Sequence, residues 1–355
     1  MVQSIQIDGR VIGEDNPVFI IAEAGVNHNG DIKLAKKLVD KAVLAGADAV
    51  KFQTFKTEDL TTKDAEMAEN QVENIGESGS QFEMIQRLEL GYDEFVELQR
   101  YCSSRGILFL STPHTLDAMR FLDSIVPAFK IGSGDLTNLP FLKELADLGK
   151  PILLSTGMST LDEVRDAVQT ILDRGNEHLV LLHCVTNYPA AIEDMNLRAI
   201  ETLRREFNLL VGFSDHSTGY VASIAAVSLG VVILEKHFTL DRTLLGPDHK
   251  ASLDPVQLQE YVSFIRAAES SLGDGIKKPA SSEIPIKDVA RKSLVAIQDI
   301  KAGTMLEESM IGIKRPGTGI PPRFLSEIIG RRIKVDIKND ALLHWDMLEP
   351  EPVER

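Results

Sequence analysis

The sequence predicts an α/β chain: a (β/α)8 TIM barrel followed by a small, mostly β domain. Three observations carry that expectation. Eight short apolar runs alternate with helical patterns over roughly 250 residues, the length of such a barrel. Polar residues gather where those runs end. From residue 273 the texture changes to Gly, Lys, Pro and Ser (GDGIKKPASSEIPIKDVAR), and the short apolar runs beyond it are broken by Gly-Pro turn signals. An open doubly wound sheet is the competitor, but it more often opens on a glycine-rich phosphate loop, absent here.

The first strand is residues 18–24 (VFIIAEA), leading into Gly25-Val26-Asn27-His28-Asn29-Gly30, where His28 reads as a turn-stabilising residue. Asp31 caps a helix running to Ala45, and residues 49–53 form the second strand. A long polar stretch follows at 55–81 (FKTEDLTTKDAEMAENQVENIGESGSQ). Loops of that length are uncommon inside a compact domain and often act as lids, a surface excursion being the bland alternative. Helical periodicity returns at 92–104, and the third and fourth strands are 107–111 and 128–131. The fifth and sixth, 152–155 and 179–184, are each followed by an amphipathic helix. The last two strands, 209–213 and 231–234, flank a helix at 220–229 (YVASIAAVSL) stopped by Gly230. That is a β-α-β unit, so these two strands are parallel and close. A final helix spans 255–272, giving a barrel domain over 1–272, a linker over 273–291 and a terminal domain over 292–355.

A formal net charge of −15 argues against nucleic acid, since phosphate binding needs a basic face. Cys102 and Cys184 are the only cysteines, which suits a reducing compartment without disulfides, and Cys184 closes an apolar strand as a buried thiol. The opening residues lack the basic and apolar regions of a signal peptide. The longest apolar tract, 221–234, is too short to span a bilayer. A cytoplasmic protein without a membrane partner is expected.

The strand ends carry the chemistry. Ser214 and His216 share one face after the seventh strand, and Glu235 and His237 one face after the eighth. Two imidazoles and a carboxylate pointing into one space suit a divalent metal, although the spacing alone is no metal motif. Glu23 ends the first strand, Lys51 and Gln53 share a face of the second, and Ser111-Thr112 end the third. Lys130 lies on the fourth with Ser133 following, Ser155 ends the fifth, and Asn187-Tyr188 follow the sixth. A Lys or Glu inside an apolar barrel costs several kcal/mol unless paired or hydrated, and the open carboxyl mouth is where that cost is most readily met. Lys51 and Lys130, with the hydroxyls, suit a phosphate or carboxylate; a Schiff-base role for either lysine is the other reading.

The motifs IIAEAGVNHNGD, DAVKFQT, STP, FKIGSGD, ILLSTGMST, LLHCVTNYP, GFSDH, LEKHFTLD and GPDHKASLDP run along nearly the whole length of the sequence. On them the sequence resembles the sialic acid synthase family. The carboxyl-terminal SLVAIQDIKAGT and IKRPGTG look like the family's antifreeze-like (SAF, β-clip) domain. The resemblance implies condensation of phosphoenolpyruvate with the open-chain aldehyde of N-acetylmannosamine, yielding N-acetylneuraminate and phosphate. An N,N'-diacetyllegionaminate synthase acting on 2,4-diacetamido-2,4,6-trideoxymannose is the nearest alternative. It implies His216 and His237 as ligands of Mn²⁺ or Mg²⁺, with Glu235 beside the metal. Lys51, Thr112, Lys130, Ser133, Ser155, Ser214 and His237 match the family's phosphoenolpyruvate-binding positions. Glu23, Gln53, Tyr188 and Asp248 match sugar-facing positions, and Glu23 or Glu235 would handle protons. Arg315 matches an arginine that reaches the partner subunit's site, so a domain-swapped homodimer is implied.

Three positions depart from the pattern. Asp135 stands where some members have Glu, shortening reach toward the sugar by one methylene. Asn187 directly precedes Tyr188, where some members separate the pair. His114 replaces a common Phe after Ser-Thr-Pro and reads as a loop residue.

Overall fold

The computed structural model describes residues 4–76 and 79–350. The chain forms two compact units, Met1–Gly273 and Asp274–Arg355. The first opens on an antiparallel hairpin of β1 (Ser4–Ile7) and β2 (Arg10–Gly13). Eight parallel strands follow: β3 (Phe19–Gly25), β4 (Ala49–Thr54), β5 (Leu108–Pro113), β6 (Phe129–Ile131), β7 (Ile152–Ser155), β8 (Leu179–Cys184), β9 (Leu210–Asp215) and β10 (Ile233–His237). Their order is β5-β4-β3-β10-β9-β8-β7-β6, and β5 lies beside β6 without a hydrogen-bonded ladder, so the barrel is nearly closed. This is the TIM barrel expected from the alternating pattern.

Apolar runs make these strands because both of their faces are covered. Every residue of β3, β7, β8, β9 and β10 is buried. One core lies between the sheet and the helices, with Phe52, Leu181 and Phe213 on the sheet side and Leu38, Phe95 and Ile265 on the helix side. A second fills the barrel's amino-terminal end, where Ile5, Ile7 and Ile12 of the hairpin meet Ile21, Leu153 and Val180. The helices start and stop where capping chemistry allows. Asp31 accepts from Lys33 N at 2.7 Å to open Ile32–Ala45, which Gly46 ends at φ 81°. Thr160 and Glu163 form a capping box for Leu161–Leu172.

The polar stretch after β4, expected as a long loop serving as a lid or a surface excursion, folds into three short helices, Thr57–Leu60, Glu69–Ile75 and Gln81–Gln86. Glu89 anchors the first of them. Its carboxylate accepts from Thr57 N at 3.0 Å, Thr57 Oγ1 at 2.8 Å and Lys56 Nζ at 2.8 Å.

The second unit has its own core around Leu294, Leu306, Ile320, Ile333 and Leu343. Its antiparallel sheet is β11 (Ser293–Ala296) with β12 (Ile311–Lys314), extended by isolated bridges such as Ile300↔Ile337 and Ile333↔Leu348. The expected linker is not structureless. Glu283 caps Ala280 N at 2.8 Å and a proline in the first turn seeds the helix Ile284–Ala290. Ile276, Ile284, Ile286 and Val289 are exposed on this segment.

Candidate active site

Parallel register assembles the site at the carboxyl ends of the barrel strands. Glu23 on β3 pairs with Lys51 on β4 and with His237 on β10. Ser214 on β9 pairs with Glu235 on β10. The cavity over them holds about 370 Å³, within the range of small-molecule sites. Glu23, Lys51, Gln53, Thr112, Lys130, Ser133, Ser155, Tyr188, Ser214, His216, Glu235, His237 and Asp248 all line it.

Four buried charges form its floor. Lys51 Nζ lies 2.8 Å from Glu23 Oε2 and 3.8 Å from Glu235 Oε2, and donates to Thr112 Oγ1 at 3.0 Å. Lys130 Nζ lies 3.5 Å from Glu235 Oε1 and donates to Ser155 Oγ at 2.7 Å and the Ile131 carbonyl at 3.2 Å. Glu235 also accepts from Ser214 Oγ at 2.8 Å. Burial works against its charge, but Lys130 and Lys51 outweigh it and hold the carboxyl below the usual range. Burial likewise works against the Lys51 ammonium, and Glu23 with Glu235 overcome it, so Lys51 is pushed up. Burial pulls Lys130 down, with Glu235 only partly compensating. Glu23 is the odd member: burial pushes it up, and Lys51 only partly offsets this. Glu23 and Lys51 are both raised although they are partners. The reason is that Glu235 faces both lysines and keeps the negative charge, so an added proton goes to Glu23.

The histidines meet at one side. Their ring centroids are 5.5 Å apart, with Tyr188 4.2 Å from His216 and 5.5 Å from His237. His216 Nδ1 lies 2.7 Å from the Val185 carbonyl, so Nδ1 carries the proton and Nε2 keeps its lone pair, 3.4 Å from Ser214 Oγ. His237 Nδ1 is buried without a hydrogen bond, 3.9 Å from Asp248 Oδ2. Burial pushes His216 down to about 4 and His237 well below its ordinary range, so both are neutral near pH 7. Burial also pushes Asp248 up, to about 6. Two neutral imidazoles with free lone pairs are a donor set that suits a divalent cation. Among the described residues no cluster of three or more His, Cys, Asp or Glu side chains forms a ready cage.

Ser133 Oγ accepts from Gly157 N at 3.0 Å and lies 3.1 Å from Cys184 Sγ, which is buried as expected. A Cβ on Gly157 would come 2.1 Å from Thr186 Oγ1 and 2.8 Å from Ser133 Oγ, so only glycine admits this crowding of hydroxyls and backbone NH.

Two expected contacts are not brought to the cavity. Asp135 sits in the 3-10 turn Ser133–Asp135, bonded to Asn138 at 3.3 Å and 3.9 Å from His114 Nδ1. Asn187 turns its Oδ1 back onto Tyr188 N at 3.0 Å. Thr186, passed over in the sequence, lines the cavity instead, with a buried hydroxyl that has no partner. His114 is also a lining residue rather than a bystander. His28 does stabilise its turn, accepting from Gly30 N at 3.1 Å. Arg315 lies in the second unit, directly after β12. The stretch after β4 adds a wall of Phe55, Leu60, Gln71, Gln81, Met84 and Ile85.

The NeuB family profile matches residues 38–277, more than half the chain. The chain belongs to the NeuB family. A SAF domain profile matches residues 291–349, so the expected sialic acid synthase architecture with its terminal SAF domain is present. Among NeuB-family relatives, N,N'-diacetyllegionaminic acid synthase of Legionella pneumophila is 45% identical, covering 95% of this chain and 96% of that protein. The human N-acetylneuraminate-9-phosphate synthase is 36% identical, covering 96% and 95%. Among solved structures, N-acetylneuraminic acid (sialic acid) synthetase of Leptospira borgpetersenii, in complex with citrate, is similar with a TM-score of 0.70 at 36% identity. That likeness covers 80% of this chain and 95% of the other.

Proposed function

We propose that this chain is a phosphoenolpyruvate-dependent nonulosonate synthase. It joins C3 of phosphoenolpyruvate to the open-chain aldehyde of an N-acetylmannosamine-type sugar; water adds at C2, and the C–O bond to phosphate breaks. The observation that carries this reading is the division of the floor. Two lysines with the hydroxyls of Thr112, Ser155 and Ser214 form an anion seat on one side, and a neutral histidine pair stands on the other. Mn²⁺ or Mg²⁺ held by His216 and His237 would polarise the aldehyde oxygen. Lys51 and Lys130 neutralise the phosphate as it leaves. Glu23, the carboxyl raised by burial, exchanges the proton of the new hydroxyl or the water, while Glu235 stays ionised and holds both lysines in place. A Schiff base at Lys51 fits less well, because two carboxylates hold that lysine charged; Lys130, which burial pulls down, is the lysine that borohydride trapping tests.

Two acceptors suit the seat: N-acetylmannosamine, giving N-acetylneuraminate, and 2,4-diacetamido-2,4,6-trideoxymannose, giving N,N'-diacetyllegionaminate. The wall after β4 favours the second. Leu60, Met84, Ile85 and Leu88 offer apolar surface for a C6 methyl and Gln71 and Gln81 offer amides for an acetamido group. No Lys or Arg of that stretch lines the cavity among the described residues, whereas a phosphorylated acceptor would call for a cation there. We place the enzyme in the cytoplasm as a homodimer. Both cysteines are free, no helix among the described residues is long and apolar enough to cross a membrane, and the exposed Ile284, Ile286 and Val289 offer a surface for a second copy.

The test is phosphate release from phosphoenolpyruvate and Mn²⁺, with each sugar offered separately. Release with one or both sugars, lost in His216→Ala and leaving no borohydride-trapped adduct, is expected. No release with either sugar, or activity that persists in His216→Ala, overturns the reading.

A further inference from the structure

Between the site residues of β9 and β10 stand two that point the other way. Ser214 and His216 alternate with Asp215; Glu235 and His237 alternate with Lys236. Asp215 and Lys236 are direct partners in the parallel register and are each 1% exposed. Lys236 Nζ lies 3.0 Å from Asp215 Oδ2 and donates to the Ser217 carbonyl. Asp215 also accepts from Ser217 N at 2.8 Å, Ser217 Oγ at 2.6 Å and Ser223 Oγ at 2.6 Å. Ser223 accepts in turn from Tyr261 OH at 3.0 Å, tying the pair to helices Val221–Ser228 and Pro255–Leu272.

A buried ion pair is a poor device for stability alone, because apolar side chains of similar volume often serve as well or better. What this pair does is geometric. One ammonium grips the residues on both sides of His216, the carboxylate of Asp215 and the carbonyl of Ser217. That ammonium belongs to the residue between Glu235 and His237. The two strand ends are thereby locked at one spacing, directly behind the reacting groups.

We infer that Asp215 and Lys236 are positioning residues that set the separation of His216 and His237, and with it the alignment of the acceptor aldehyde. This rests on the synthase reading proposed above. Neither residue touches the cavity. Lys51 and Lys130, on β4 and β6, lie outside the clamp, whereas Ser214 and Glu235 adjoin it, so its loss disturbs the histidine pair more than the lysine side of the anion seat.

The test uses the full chain carrying Asp215→Leu with Lys236→Met, which removes both charges and keeps the space filled. Melting temperature, kcat, KM for phosphoenolpyruvate and the affinity for Mn²⁺ alone, read by electron paramagnetic resonance, are compared with the wild type. The expected result is a folded protein with kcat down about 100-fold, KM within about threefold, and Mn²⁺ affinity down at least about tenfold. A folded double variant that keeps kcat and Mn²⁺ affinity within about threefold overturns the inference. Should that variant not fold, Ser223→Ala with Tyr261→Phe loosens the clamp from outside without removing a charge. A fall in kcat of about threefold or more at constant KM then supports the inference, and unchanged kcat overturns it. A wild type that releases no phosphate with either sugar counts against the synthase reading, and Mn²⁺ affinity in the variants then decides the clamp by itself.

Discussion

Glu235 decides the charge balance of the floor. It is the group that lies near both lysines and also takes the Ser214 hydroxyl. Glu235→Gln leaves two buried ammonium groups to share Glu23. Removing one partner of a buried ion pair costs about 3–5 kcal/mol, so we expect a stability loss near ~3 kcal/mol in urea denaturation. The same variant is expected to lower kcat/KM about 100-fold or more, because the anion seat is no longer held in place. Adding Lys130→Met to it restores much of the stability and none of the activity. His28 gives a separate test in pH. Burial pushes its pKa from the ordinary 6.5 down to about 4. The unfolded chain therefore binds a proton near 6.5 that the folded chain refuses until about 4. The stability tied to His28 is present above pH 6.5 and is lost as pH falls toward 4, in total roughly 3 kcal/mol. His28→Asn, measured by denaturation between pH 7 and pH 4, is expected to flatten that slope by about one proton.

At the level of elements, the approach of β9 to β10 is what makes a pair of the histidines. Gly212 permits it: a Cβ there would lie 2.8 Å from the Ile233 carbonyl oxygen and 2.9 Å from Ile233 Cβ. Backbone cannot yield as a side-chain tip can, so Gly212→Ala is expected to cost about 2 kcal/mol or more. If the histidine pair holds Mn²⁺ as proposed, parting the strands is also expected to lower Mn²⁺ affinity, which calorimetry would read beside the melting temperature. The strands themselves were legible because a parallel barrel strand buried on both faces leaves an unbroken apolar run. Elements that bury one face left weaker traces. The β1–β2 hairpin leaves only a short signal, Asp8-Gly9 between Ile5, Ile7 and Ile12, with both turn residues at positive φ. The short helices after β4 are too polar and too brief to show a period. In the site, alternation brings Ser214, Glu235 and His237 to the cavity because they lie on strands. Beyond the end of β8 at Cys184 there is no alternation to follow, and there Asn187 bonds its own neighbour while Thr186 faces the cavity.

On the scale of the whole molecule, the question is whether each barrel works with its own second unit or with another chain's. The second unit carries Arg315 after β12, and the segment leading to it exposes Ile276, Ile284, Ile286 and Val289. An apolar stretch of that kind is stable in water when another surface covers it, and a two-fold pair of chains covers both copies at once. If Arg315 serves the partner's barrel, Arg315→Ala and His216→Ala damage different halves of each site. Either variant alone is then nearly inactive toward the sugar. Unfolded and refolded together, half of the dimers contain one chain of each kind. In those dimers the barrel of the Arg315→Ala chain is intact and receives the intact arginine of the His216→Ala chain. Activity is expected to return to roughly a quarter of the wild-type sites. If Arg315 serves its own barrel, or no barrel, the mixture shows no gain over the average of its parts. The same phosphate-release assay reads both outcomes, and light scattering on the mixture confirms that dimers have formed.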